Sequence, residues 1–291
     1  MDKDLEQYLH NILRLTPEIS ISEVQNMISD KMGQYNNTSL DVFEGLSPEN
    51  MYKLLYNAWG ENIISINPNN FDGNDIPIIK QIKYYISLVY ENNGIQLTKT
   101  GNLPPLIVKS IYSQNFISDY AIEKGITKLT KETDVENIVF MKIICGMAGL
   151  TKKNKNKILL TKKSLDIITS NKLFDKIFEI SFKKYNWAFF DGFRDERVGQ
   201  FGNSYSLFLL DKHGKIWKDE DFFADLYYKA FPHLLVSDEY YFLQGCYTSR
   251  TFRRMLLYFG FIEYENKNIF RGNIRITELF SKYIRIGKYV A

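Results

Sequence analysis

The chain has 291 residues and a net charge of +3, with 45% apolar, 15% aromatic and 24% charged residues. That is too apolar and too aromatic for a disordered chain, and 17 glycines with 7 prolines exclude a collagen-like or linker-dominated one. Two cysteines exclude a disulfide scaffold or a four-cysteine zinc site.

Residues 1–75 hold four basic and twelve acidic residues, a net charge of −8 that leaves +11 for the rest. An acidic head on a basic body implies a polyanionic partner for the body, or contact between the two. Lysine enrichment also follows from an AT-rich genome. The opening Met1-Asp2-Lys3-Asp4 does not match the basic start of a secretory signal, and no apolar run reaches the roughly 18 residues of a membrane span. The expectation is a cytoplasmic protein with no membrane contact.

The head reads as helices. Leu5, Tyr8, Leu9, Ile12 and Leu13 recur at helical spacing. Ser20 with Glu23 predicts a capping box for a second helix carrying Val24, Met27 and Ile28. Ser47-Pro48 predicts a third helix start, with Gly60 as its end, and a loop follows over Asn67–Asp75.

Beyond the head one pattern recurs three times: an apolar helix stopped at a glycine, a strand or hairpin, then Ile-x-(Leu/Ile)-Thr. The helices are Ile78–Tyr90 ending at Asn93-Gly94, Val135–Ala148 ending at Gly149, and Phe252–Phe259 ending at Gly260. The closing tetrads are Ile95–Thr98, Ile158–Thr161 and Ile274–Thr277. Glycine permits a left-handed helix end, β-branched residues suit a short strand, and each threonine is expected to cap the next helix. Leu97, Leu160 and Ile276 are then expected at equivalent buried positions. Residues 186–235 differ, with Asn186-Trp187, Asp191-Gly192 and Gly199-Gln200-Phe201-Gly202, then helical patterns at Tyr205–Leu210 and Asp221–Phe231.

Gly149-Leu150 through Leu160-Thr161-Lys162-Lys163-Ser164, and Gly260-Phe261 through Ile276-Thr277, resemble the wing of winged-helix proteins such as MarR-type and PadR-type regulators. Leu97-Thr98-Lys99-Thr100-Gly101 matches only the end of that stretch. Over residues 45–290 the chain is also similar to uncharacterised bacterial proteins sharing the boxes Leu97–Pro104, Asn186-Trp187 to Asp191-Gly192, and Ala230-Phe231-Pro232. The resemblance implies a mainly α fold with small β-hairpins: tandem winged-helix-like units plus an N-terminal helical region. The expected divisions are an acidic head over 1–75, a degenerate unit over 76–130, a second unit over 131–185, a helical insert over 186–235 and a third unit over 236–291.

A DNA-reading winged helix presents cationic side chains on the helix before its wing. The second unit's helix is nearly all apolar, with Lys142 its lone cation, and reads as core. Its wing carries Lys152, Lys153, Lys155 and Lys157. In the third unit Thr248 or Ser249 is expected to cap a helix that sets Arg250, Arg253 and Arg254 on one face, followed by Lys267, Arg271 and Arg275 in the wing. These arginines and lysines, with Lys153, Lys155 and Lys157, form the expected nucleic-acid site. The alternative is a solvated basic face, or arginines paired with the acidic head.

Asp191, Asp195 and Glu196 are the densest carboxylates, but Arg194 and Arg197 interleave with them, which favours salt bridges over catalysis. His213, His233 and Cys246 are too scattered to read as a metal or Cys–His site, and Cys246 is read in a Gly245-Cys246-Tyr247 loop. Gly199–Gly202 has the spacing of a KH loop without its basic residue, and Asp72-Gly73 departs from a calcium loop. No phosphate-loop, dinucleotide, zinc-protease or nucleophile-elbow motif occurs. The expectation is a non-enzymatic binding protein with no cofactor and no metal, contacting nucleic acid through its last unit. The alternatives are a protein-interaction scaffold with structural wings and, third, an enzyme of unidentified class.

Overall fold

The computed structural model describes residues 3–287 apart from 17, 60–62, 171, 190, 194 and 236–239. The expected helix end at Gly60 and the interleaved Arg194 lie outside the described residues. The fold is mainly α, with three small antiparallel sheets of two or three strands.

The head supplies α1 (Lys3–Leu15), α2 (Ile21–Asn37) and α3 (Pro48–Tyr56), then strand β1 (Ile64–Ile66). The Ser20–Glu23 capping box forms as expected, and Ser47 caps α3 by accepting from the Asn50 amide. The head is two structures in one. No residue of α2 is buried, whereas residues 41–75 are fastened to the body. Ser204 donates to the Leu54 carbonyl, Lys212 and His213 bond Glu44, and Lys282 and Tyr283 bond Asp75.

The body holds one order of elements twice. The first copy runs α4 (Pro77–Glu91), β2 (Ile95–Gln96), α5 (Pro105–Tyr112), the one-turn α6 (Tyr120–Glu123), α7 (Glu136–Met147), β3 (Thr151–Asn154) and β4 (Lys157–Leu160). Helices α8 (Ser164–Thr169) and α9 (Lys172–Lys183) follow it. The second copy runs α10 (Asn203–His213), β5 (Lys218–Asp219), α11 (Glu220–Ala230), α12 (Tyr240–Thr248), β6 (Ile262–Asn266) and β7 (Gly272–Ile276). Helix α13 (Glu278–Tyr283) and β8 (Ile284–Ile286) close the chain, and β8 pairs with β1. Each three-stranded sheet has its short early strand beside the second hairpin strand, in the orders β2-β4-β3 and β5-β7-β6.

This corrects the three-unit expectation. Ile95 pairs directly with Ile158, so the first two tetrads are neighbouring strands of one sheet, and residues 76–130 are the front half of the copy that 131–185 completes. Likewise β5 pairs with β7, so the 186–235 insert provides the front half of the last copy.

The two hairpins start and close alike. Gly149 and Gly260 both adopt positive φ, at 72° and 67°, ending their helices in the left-handed region. Thr161 and Thr277 each donate their hydroxyl to that glycine's carbonyl at 2.6 Å. Only Thr277 also caps a helix, accepting from the Phe280 amide. Thr98 accepts instead from the Asn102 amide, and a turn separates Thr161 from α8. Leu97 is buried, whereas Leu160 and Ile276 are only half-buried.

Helix α9 joins the copies. Phe174 and Phe178 pack on Phe259, Phe261 and one another, while Phe178 and Phe182 meet Trp59 of the head. Aromatic rings met edge-on and stacked supply both area and fixed geometry here. Helix α7 sits against α4, α5 and α9 and buries Ile138, Phe140, Met141, Ile144 and Cys145, as its all-round apolar sequence predicts.

Candidate nucleic-acid interface

The arginines of the last helix point inward. Residues 240–248 are helical and continue into a π-helical segment, Ser249–Leu256, so Gly245-Cys246-Tyr247 is not a loop and neither Thr248 nor Ser249 starts a helix. π-helical turns are rare and cluster where side chains need unusual placement. Here Arg250 and Arg254 converge on one carboxylate.

Arg250 is fully buried. It donates to both oxygens of Asp191, whose side chain is 1% exposed, and to the carbonyls of Asp195 (2.6 Å) and Val198 (2.8 Å). Every nitrogen of its guanidinium is thereby engaged by the 191–198 segment. Gly199 permits the approach, since a Cβ there would sit 3.0 Å from that of Arg250. Arg254 donates bidentately to Glu136 at 2.7 and 2.8 Å, to the Trp187 carbonyl at 3.2 Å, and lies 3.5 Å from Asp191. Arg253 donates to Glu220 at 2.5 Å and to the Tyr264 hydroxyl at 2.9 Å. Burial pushes the Glu220 carboxyl above its usual range, against the pull of Arg253 and Tyr264.

The expectation of one accessible arginine face is therefore corrected. None of these partners lies in the acidic head. They come from α7, α11 and the 191–198 segment, and they fasten those parts to the last helix.

The second hairpin is also neutralised. Lys267 pairs with Asp219 at 2.6 Å and Arg271 with Asp221 at 3.1 Å. Arg275 pairs with Glu263, its cross-strand neighbour, at 2.5 Å, with its guanidinium 4.8 Å from the Trp217 ring centre. Alternating carboxylates on β5, α11 and β6 thus face each cation.

The first hairpin differs. Lys152, Lys153 and Lys155 are exposed and Lys157 is half-buried, with Lys155 at φ 52° in the turn. Lys162 and Lys163, exposed, follow in the next turn. Among the described residues none of these six takes part in an ion pair. Residues 149–172 carry seven lysines and one aspartate, a net charge of +6. The adjoining helix α7 adds no free cation, because Lys142 is held by Glu132 at 2.5 Å and by the Gly101 carbonyl.

The other candidates settle into structure. Asp195 pairs with Arg197 at 2.7 Å, as the interleaved charges suggest, but the partner of Asp191 lies 59 residues on. Gly202 begins α10 and packs on Phe231, so the Gly199–Gly202 spacing serves close packing. His213 bonds Glu44 at 2.8 Å, and His233 meets Phe201 and Phe231 edge-on. Both cysteines are free and buried, and burial pushes the Cys246 thiol up to about 12. No group of three or more His, Cys, Asp or Glu side chains among the described residues could hold a metal ion. No described helix is long and apolar enough to cross a membrane.

No sequence motif announces the aromatic pocket between α7 and the last helix, lined by Phe140, Tyr185, Trp187 and Tyr258. Tyr185, Trp187 and Phe189 form its one local cluster, while Phe140 and Tyr258 arrive from 45 and more residues away.

Residues 74–173 match the family model of the Y4jL N-terminal domain, which covers about a third of the chain and spans the whole first copy. No curated protein and no solved structure matches the chain.

Proposed function

We propose that this protein is a non-enzymatic binding module of two winged-helix-like units, and that the first unit's hairpin grips the phosphate backbone of duplex nucleic acid. Support for the units comes from the order of a helix, a short strand, two main helices and a hairpin, which occurs twice with the same strand order, the one-turn α6 being present only in the first. The observation carrying the function is the free charge of one hairpin: Lys152, Lys153, Lys155 and Lys157, with Lys162 and Lys163 beside them, pair with no carboxylate among the described residues.

Phosphate contacts of this kind supply affinity without reading sequence. The helices that would read bases are occupied elsewhere. α7 is buried on three helices, and the arginines of the last helix hold internal carboxylates. Binding is therefore expected to be indifferent to sequence and steep in salt. The expected contacts move from Arg250, Arg253 and Arg254 to the first wing.

Fluorescence anisotropy with a labelled duplex of arbitrary sequence tests this. Binding is expected at ~50 mM salt, with a slope of about 0.9 per phosphate neutralised. Lys153→Glu with Lys155→Glu should abolish it. A wild-type protein that binds no duplex at ~50 mM salt ends the proposal.

One observation favours a protein-interaction scaffold as the second reading. Helix α2 buries none of its residues, and Leu13, Leu15, Ile21 and Met27 are exposed on the two head helices. A protein partner held by this face would survive removal of the wing lysines and be lost on deletion of residues 1–37.

A further inference from the structure

The pocket between α7 and the last helix is walled by rings that hold one another. Phe140 and Trp187 stack at 4.9 Å, and Tyr185 meets both edge-on at 4.9 and 4.8 Å. Trp187 is locked by its Nε1, which donates to the Ser181 carbonyl at 2.8 Å. Tyr258 closes the far side, 5.6 Å from Phe140. The space enclosed is about 180 Å³. An apolar cavity of roughly 150 Å³ accommodates a benzene ring, so this one admits one or two fused rings.

The polar groups on its walls are unequally satisfied. Glu136 and Arg254 cancel one another in a bidentate pair, so the pocket offers no net charge. Tyr258 and Tyr185 line the cavity, and among the described residues neither hydroxyl bonds a protein group, so both are left to water. A hydroxyl that only water meets in a cleft is free to bond a ligand. Two such hydroxyls between aromatic walls, beside a carboxylate with spare lone pairs, call for a flat molecule that brings its own hydrogen-bonding edge.

We propose that this pocket binds a flat heteroaromatic molecule of one or two rings carrying a ring N–H, stacked on the aromatic walls with the N–H directed to the Tyr258 and Glu136 side. An aliphatic ligand would lose the stacking, and a charged one would find no uncancelled counter-charge. The site lies at the end of α7 remote from the lysine hairpin and does not rest on the nucleic-acid reading.

The test uses the full chain with indole and benzimidazole as probes and 1-methylindole as the matched ligand without N–H, followed by ligand-observed NMR. Saturable one-to-one binding with a dissociation constant of about 1 mM or tighter is expected for the first two. Tyr258→Phe removes only the unpartnered hydroxyl, so it should weaken indole about tenfold while leaving the thermal midpoint unchanged. Thr133→Trp, at the exposed rim, should block entry. Failure of both probes to saturate, equal binding of indole and 1-methylindole, or indifference to Tyr258→Phe and Thr133→Trp would each overturn the proposal.

Discussion

The two hairpins are built alike, yet they offer opposite surfaces. Each leaves a left-handed glycine, closes on a threonine that bonds that glycine's carbonyl, and takes a third short strand on its second edge. In the second, Asp219, Asp221 and Glu263 sit against Lys267, Arg271 and Arg275. In the first, no carboxylate meets Lys152, Lys153, Lys155 or Lys157. Part of the difference lies in the second hairpin itself, where β6 carries Glu263 and Glu265, and the rest is supplied by the strand and helix that precede each hairpin. In one copy Lys218-Asp219-Glu220-Asp221 delivers acids; in the other Ile95-Gln96-Leu97-Thr98 delivers none. A cationic run in sequence is thus a cationic surface only where the fold brings no acid to it.

The contrast breaks most violently at Arg250. Removing one partner of a buried ion pair leaves the other charged and unpaired, at a cost of about 3–5 kcal/mol. Arg250→Ala and Asp191→Ala should each lower stability by that much in denaturant melts, and the double variant by less than their sum. Arg275→Ala on the exposed hairpin should cost under about 1 kcal/mol. If Arg250→Ala left stability within about 0.5 kcal/mol, the last helix would not be held as described and its arginines would return as candidates for phosphate.

Next in size is the helix that matches it in the first copy. Ile144 is fully buried in α7, and Ile144→Ala should cost about 2–5 kcal/mol. A loss below about 0.5 kcal/mol would contradict its burial between layers.

The sequence made α7 legible as core because its apolar residues cover more than one face, and periodicity reports burial locally. Helix ends were legible for the same reason: Ser20, Ser47 and Gly149 act on their own neighbours. What it could not show was which strand joins which sheet, since Ile95 meets Ile158 across 63 residues and nothing local encodes that distance. Counting tetrads gave three units where pairing makes two. The same blindness hides the ion pairs of the last helix. Arg250, Arg253 and Arg254 have helical spacing suited to a basic face, and their partners at Asp191, Glu220 and Glu136 are visible only once folded.

The two hairpins can be made more alike, which sharpens the comparison by binding rather than stability. Lys153→Glu with Lys155→Glu should abolish duplex binding while stability stays within about 0.5 kcal/mol, as for other surface changes. Conversely, Asp219→Asn removes the ion pair of Lys267, and Asn retains the cap that Asp219 gives α11. If Lys267 then reaches phosphate, the salt slope should steepen by up to about 0.9, one contact's worth. An unchanged slope would mean that only the first hairpin faces the duplex.

The smallest expected effect concerns how the head is held to the second copy. Glu44 accepts from Lys212 at 3.1 Å and His213 at 2.8 Å, and Asp75 from Lys282 and Tyr283. Burial works to raise both carboxyls, but these donors outweigh it and hold them below their ordinary values of 4.5 and 3.8. A carboxyl lowered on folding stabilises the fold above its ordinary value, and that contribution is lost as pH falls through the folded one. Glu220 has the opposite sign, because burial raises it and its ionised form is the costly one. Acid should therefore loosen the head through Glu44 and Asp75, whereas protonation of Glu220 relieves a costly charge. Glu44→Gln should lower the melting midpoint slightly near pH 7, by less than about 1 kcal/mol in stability terms for a partly exposed pair. Well below pH 4.5, as wild-type Glu44 itself loses its charge, the two midpoints should approach one another. An equal gap at both values would mean that Glu44 holds the head by packing alone, without its charge.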